Sequence, residues 1–348
     1  MEILGDVSLE IKDTNSNHWH FEDYSVGGDD IVLTAGFRPL SNAYTRQDIA
    51  QRRILASFNN WAPCEYCQNP VIDSLDAVEA EAKFDYVLTI CPYTAKWRNE
   101  NSIKPRHIYS FYPYAEKIIP ASTEKFFDVI YHGGIHGKEH MNALKIMKEF
   151  NYRYCSLSYG INKLTQLALS DATDVDLPFQ KKIALISQTK ISITFNQIHV
   201  SLAHLRKILG YRRKMPHASD FFNGLKISGF FHNHPWIGVL PQFKTRVHEA
   251  AISKTINLVK RDRWNVIEDY YVPGKEFMYF DNDEDLQSKI FYILKNWNSS
   301  EIGDMVERAF QKSKRYTTEN FVRKYDKILR TNDPTGCNLF FEEEFWCD

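Results

Sequence analysis

The 348-residue sequence lacks several signatures, and each absence narrows the field. There is no basic excess: 43 Lys and Arg stand against 44 Asp and Glu, a formal net charge of -1. Chains that hold nucleic acid by its phosphates usually carry such an excess, so nucleic acid is the less favoured partner and would need a local basic patch. No stretch reaches the roughly 18 apolar residues needed to span a bilayer. The opening MEILGDVSLEIKD is acidic and has no apolar core, so no secretory leader is expected and a cytoplasmic location is. The six cysteines, Cys64, Cys67, Cys91, Cys155, Cys337 and Cys347, are scattered and fit free thiols in a reducing compartment. Cys64 and Cys67 form a C-x-x-C, but no second pair stands at zinc-ribbon spacing, and no structural metal is expected. No G-x-G-x-x-G follows a strand pattern, which sets aside a Rossmann oxidoreductase. Internal repeats and low-complexity tracts are absent as well.

What is present is strand–helix alternation. Length alone points to two domains. Hydrophobic residues make up 43% and charged residues 25%, an ordinary globular balance, while the 14% of aromatics implies large aromatic cores. IVLTAGF (31–37), ILASFNNW, DYVLTICPYT and RHIYSFYPY read as strands, with DSLDAVEAEAKF an amphipathic helix between them. A linker, IIPASTEK (118–125), leads to a longer series: strand FFDVIYH, a glycine turn, a helix, strand YRYCS, helix INKLTQLALSDA and strand ISITFN. SLAHLRKILGYRRKM reads as a basic helix, GLKISGFF as a strand, TRVHEAAIS as a helix and TINLVKRD as a strand, before three further helices. The expectation is an α/β protein of two Rossmann-like, doubly wound domains facing a cleft. Residues 1–120 form the first and 121–330 the second. The tail 331–348 docks back, because Phe340, Phe341, Phe345 and Trp346 would otherwise meet water. Open parallel sheets bind ligands beyond the carboxyl ends of their strands, which selects the loops after DVIY, after ISITFN and around PQFKTRVHEAA.

From Phe127 to Leu329 the chain resembles the C-terminal, donor-binding domain of GT-B glycosyltransferases, most closely the group related to CgeB proteins and more distantly the large group-1 family. The carrying stretches are FDVIYHGG (127–134), TRVHEAAISKTINLV (245–259), VIEDYYVPGKEFMYFDNDEDLQSKIFYIL (266–294) and SKRYTTENFVRKYDKIL (313–329). DVIYHGG also looks like the matching strand of phage DNA glucosyltransferases. Two departures stand out. Lys254 and Ile256 occupy places where such families usually have a glycine and a proline, and Pro241 stands where retaining members often have a glutamate, which counts against a retaining mechanism.

The resemblance implies transfer of a sugar from a nucleotide-diphosphate sugar, a UDP- or GDP-sugar, to a hydroxyl of a glycan or other acceptor, with no further cofactor and no catalytic metal. A diphosphate needs backbone N–H groups, helix N-termini or basic side chains. Gly133 and Gly134 would allow close backbone approach, Lys244 and Arg246 would complement the phosphates, and His136 would sit near phosphate or sugar. Spacing alone favours Glu249 as the i,i+3 ion-pair partner of Arg246, whereas the resemblance gives it the two ribose hydroxyls. On the acceptor side Glu65, after a strand, is the candidate general base, with Asp48 and Asp85 behind it. His132, His136 and His140 are spaced four apart, but the intervening glycines disfavour a metal site. HNHP (232–235) reads as a turn and LRKILGYRRK (205–214) as a solvated basic face. A DNA-modifying transferase and a non-catalytic nucleotide-sugar-binding protein are the alternatives.

Overall fold

The computed structural model describes residues 31–35, 54–59, 84–91, 95, 106–109, 111, 113–120, 124–157, 163–201 and 236–323. Glu65, Asp48, the basic stretch 205–214, HNHP and the tail 331–348 lie outside the described residues.

Two parallel sheets organise the chain. The first takes β1 (Ile31–Ala35), β2 (Ile54–Asn59), β3 (Tyr86–Thr89) and β4 (Arg106–Tyr109) in sequence order, every pair parallel. All four residues of β3 are buried, which accounts for the unbroken run of YVLT in place of an alternating pattern.

The second sheet has six strands. Its elements run β5 (Phe127–His132), α1 (Lys138–Met147), β6 (Tyr152–Ser156), α2 (Lys163–Ala168), β7 (Asp174–Val175), α3 (Phe179–Ser187) and β8 (Thr189–Thr194). After an antiparallel ribbon of β9 (Gln197–Ser201) and β10 (Trp236–Pro241) come α4 (Arg246–Ile252), β11 (Ile256–Lys260), β12 (Met278–Phe280), α5 (Asp283–Lys295) and α6 (Ser300–Ser313). The spatial order is β12-β11-β8-β5-β6-β7, all parallel. The first three strands lie on one side of β5 and the last two on the other, so the winding reverses between β5 and β8. That crevice is where doubly wound sheets place ligands. The ribbon was not anticipated: residues 197–200 and WIGVLP were left unassigned, and Ser201 was read as the start of a basic helix. Its terminal proline and the register shift between Trp236 and Gly238 hide the strand pattern.

Helix ends follow local chemistry. The Asn282 side chain accepts the Asp285 N–H and Asp283, Glu284 and Asp285 fill the first turn of α5, placing acids at the positive end of the helix. The Ser299 hydroxyl accepts the Ile302 N–H and starts α6. Leu286, Ile290 and Ile293 of α5 and Ile302, Met305 and Ala309 of α6 are buried at helical spacing; each large side chain so buried contributes about 1.5–3 kcal/mol. Among the described residues no helix is long and apolar enough to cross a membrane.

The pleat of β5 deals its side chains to two cores. Val129 and Tyr131 join Ile191, Ile193 and Leu258 under α1, α5 and α6. Ile130 faces the other way, with Cys155, Val259 and the α3 and α4 residues Ile183, Ile186, Val247 and Ala251. This second core continues into Cys91, Phe111 and Tyr114 through Tyr270 and Tyr316. Tyr270 donates its hydroxyl to the Ile90 carbonyl at 2.6 Å, Tyr114 donates to the Ser313 carbonyl at 2.9 Å, and Tyr114 and Thr317 form a parallel bridge.

Candidate functional site

Strand parity places the polar residues of the crevice. His132, the last residue of β5, alternates with Tyr131 and so falls on the α3–α4 face, as does Ser192, whose partner across the register is Ile130. Asn257 of β11 is the next neighbour of Ser192. A row of polar side chains thus crosses three strands that otherwise read as apolar, and α4 lies over it. The Asn257 amide donates to the Val247 carbonyl at 2.9 Å and holds α4 to the sheet.

Glu249 projects from α4 into this row. Its Oε1 accepts from Lys182 Nζ of α3 at 2.8 Å, and its Oε2 lies 3.2 Å from His132 Nδ1. Oε2 is out of contact with solvent and no N–H is aligned on it. On the far side, His132 Nε2 and Ser192 Oγ are 3.1 Å apart. Burial alone would push the Glu249 carboxyl up, but His132 and Lys182 outweigh it and hold it down at about 2. His132 moves down as well: loss of hydration outweighs the pull of Glu249, with Arg246 and Lys182 acting in the same direction as burial. Loss of hydration thus favours the neutral form of His132, and Lys182 adds a cationic contact to the carboxylate.

Serine, histidine and glutamate in line resemble a hydrolytic triad. Ser192 is 0% exposed in mid-strand, so no substrate carbonyl can reach its hydroxyl, and the line is a support for Glu249.

Arg246 opens α4, where it was expected, but it does not pair with Glu249. Its guanidinium lies 5.3 Å from the Tyr131 ring centroid and beside Gly133, and among the described residues it makes no salt bridge. Gly133 has φ +140°, and a Cβ there would stand 2.3 Å from Arg246 Nη2. The glycine was expected to admit a ligand; in the fold it makes room for Arg246. The Tyr131 hydroxyl donates to the Gly134 carbonyl at 2.9 Å. The His136 N–H donates to His140 Nδ1 at 2.9 Å, and the two rings meet edge to face. Lys244 precedes the helix; its N–H donates to Asn196 Oδ1 at 3.0 Å and its ammonium to Gln242. Asp85, weighed as an acceptor-side acid, is exposed immediately before β3, at the amino end of the strand and away from the edge where parallel sheets bind ligands. His132, His136 and His140 do not converge, and among the described residues no group of three metal-ligating side chains does.

Three buried polar atoms with no hydrogen-bond partner among the described residues mark the carboxyl edge of the sheet: Ser156 Oγ, Thr194 Oγ1 and Asn196 Nδ2. Each such atom costs about 1–3 kcal/mol unless something polar meets it. Lys182 and Ser192 were missed from sequence. Ser192 and His132 had a signal in their parity within apolar strands, whereas Lys182 is one of two adjacent lysines on its helix.

No protein-family model matches the chain, and no curated protein sequence matches it significantly. Solved structures do. Anabaena HepE in complex with UDP-glucose superposes with a TM-score of 0.56 at 11% identity, over 87% of this chain and 79% of that one. S. aureus TarM, solved with UDP, gives 0.55 at 11% identity, over 87% and 56%. A sucrose-phosphate synthase from Thermosynechococcus elongatus gives 0.55 at 8% identity, over 87% and 73%. The present chain thus spans little more than half the length of TarM. These superpositions, with the two parallel sheets described above, make the fold that of the GT-B glycosyltransferases.

Proposed function

We propose that the chain transfers a sugar from a nucleotide-diphosphate sugar to a hydroxyl acceptor, with the donor held at the β5–β8 crevice. The observation that carries this reading is the ionised, buried Glu249 at the switch point, one helical turn from Arg246, which has no carboxylate partner among the described residues. A carboxylate accepts protons from ribose hydroxyls, and a guanidinium pairs with phosphate oxygens. The unpartnered Ser156, Thr194 and Asn196 atoms on the same edge suit a polyhydroxylated, charged ligand. Lys244, Gly134 and His136 lie around the same edge and complete the proposed donor site. Support also comes from neighbours of the same fold solved with UDP or UDP-glucose. A uridine or guanosine diphosphate donor is the expectation. Stabilisation of the leaving diphosphate by Arg246 and Lys244, with no metal, fits GT-B chemistry as it fits these side chains. Glu65 remains the proposed general base. The buried Cys155 thiol is free, in keeping with a reducing compartment. The likeness to CgeB-related proteins rests on sequence alone.

The test is a thermal-shift screen against UDP, GDP, ADP, CMP and dTDP, with and without magnesium. At a hundredfold excess over Kd a ligand stabilises by about 2.7 kcal/mol. One diphosphate should raise Tm independently of magnesium, and Glu249→Ala should abolish the shift. No shift with any nucleotide would overturn the reading in favour of a fold without this activity.

A further inference from the structure

We propose that Lys182 is itself a ligand-contacting residue: with Glu249 it forms one donor–acceptor pair that reads the vicinal diol of a ribose. The proposal rests on the donor-site reading above and deepens it by assigning the selection of ribo- over deoxyribonucleotides to a residue of α3.

The two flanks of Glu249 differ in access. The His132 side chain is 3% exposed, and its second ring nitrogen is occupied by Ser192, itself fully buried. That flank is closed. The Lys182 side chain is 25% exposed, so the carboxylate is open from the Lys182 side. Oε2 has no solvent contact, so the exposure that Glu249 retains belongs to the rest of the carboxylate and its stem. The proposal assigns the ligand to Oε1, on the side of the partly exposed Lys182, where it keeps a second lone pair beyond the one taken by the ammonium.

The ammonium spends one of its three N–H protons on Oε1 at 2.8 Å and is steadied by the Phe179 ring, whose centroid lies 4.8 Å away. Two N–H protons remain. A carboxylate alone can only take the proton of a hydroxyl, and an ammonium alone can only give one. Side by side they serve neighbouring hydroxyls in both senses: one hydroxyl donates to Oε1 while it or its neighbour accepts from Nζ. Removing one hydroxyl leaves a charged group short of a partner in a largely desolvated place, and sites built in this way reject the deficient analogue strongly. Arg246, one turn before Glu249 on α4, then meets the phosphate attached to the same sugar.

Calorimetric titration of the wild-type chain and of Lys182→Met with UDP and 2′-deoxy-UDP, or with the guanosine pair if the screen selects guanine, tests the proposal. Wild type should prefer the ribonucleotide by about tenfold or more, and Lys182→Met should bring the two affinities within about twofold of each other. If Lys182 only neutralised Glu249, its loss would weaken both nucleotides alike and leave the ratio intact, which would overturn the proposal. Melting curves accompany each titration. Should Lys182→Met not fold, Lys182→Gln, which keeps an amide N–H for Glu249 Oε1 without the charge, replaces it and should likewise narrow the preference, an unchanged ratio again overturning the proposal. Wild type binding neither nucleotide would sink the donor-site reading and this proposal with it. Binding with an unchanged ratio sinks this proposal alone.

Discussion

Replacing Gly133 with alanine separates two consequences that the geometry of the crevice links. At φ +140° an L-residue is strained, and holding such a conformation costs about 1–3 kcal/mol. For a unit of 150–250 residues that lowers Tm by roughly 2–12 °C. The new methyl group would also fall 2.3 Å from Arg246 Nη2, 2.7 Å from Cζ and 2.8 Å from Nη1. Those atoms end a flexible side chain, so Arg246 moves aside at little further expense in stability, but it leaves its place over Tyr131. Losing a guanidinium–phosphate contact costs about 1.5–3 kcal/mol, roughly a 10- to 150-fold weaker Kd. The assay is a double-mutant cycle of Gly133→Ala and Arg246→Ala, read by thermal melting and by titration with the nucleoside diphosphate that the screen selects. The melting loss from Gly133→Ala should be similar in both backgrounds, because it resides in the backbone. The affinity loss should appear only where Arg246 is present. Full affinity in Gly133→Ala would refute the link between the glycine and the position of the guanidinium.

Two further expectations concern the supporting structure. Asp262, 8% exposed, accepts the Trp264 N–H at 2.8 Å, and burial raises its carboxyl to about 6 despite that bond. A raised folded-state value means that its contribution is fully present below the unfolded value of 3.8 and is lost as pH rises through about 6. Asp262→Asn keeps the acceptor without the charge, so it should gain about 1–3 kcal/mol in urea unfolding at pH 7.5 and nothing at pH 4; an equal gain at both pH values would contradict this. Tyr270→Phe leaves the buried Ile90 carbonyl without its 2.6 Å partner and should cost about 1–3 kcal/mol; a loss below about 0.5 kcal/mol would show that this contact contributes nothing to the fold.

Much of the second sheet was legible. Strands such as FDVIYH and INLVK, set between amphipathic helices, announce buried parallel strands, and the three loops chosen for a ligand are those that the winding order brings to one crevice. Within the candidate site, Glu249 was chosen on sequence resemblance, and its side-chain partners were not foreseen. Arg246 lies three residues away and so seemed the natural pair. Tertiary packing gave Glu249 to Lys182, 67 residues distant, and to His132, because α4 turns its buried face toward α3 and the end of β5. Local spacing carries no information about that choice. The β9–β10 ribbon stayed hidden for a different reason: Pro241 and the irregularity at Gly238 break the alternation by which strands are recognised.

The tyrosine contacts between the two sheets also bear on the order of synthesis. Ile90 meets Tyr270, 180 positions later, and Tyr114 meets Ser313, 199 positions later. At roughly 5–20 residues per second, the strands of the first sheet leave the ribosome about 9–40 s before the side chains that cover Phe111 and Tyr114 exist. A nascent chain of this protein therefore carries an uncovered aromatic face for most of its elongation. Translation speed between Tyr114 and Ser313, rather than the stability of the finished fold, sets how long that face is open to chaperones or to neighbouring chains.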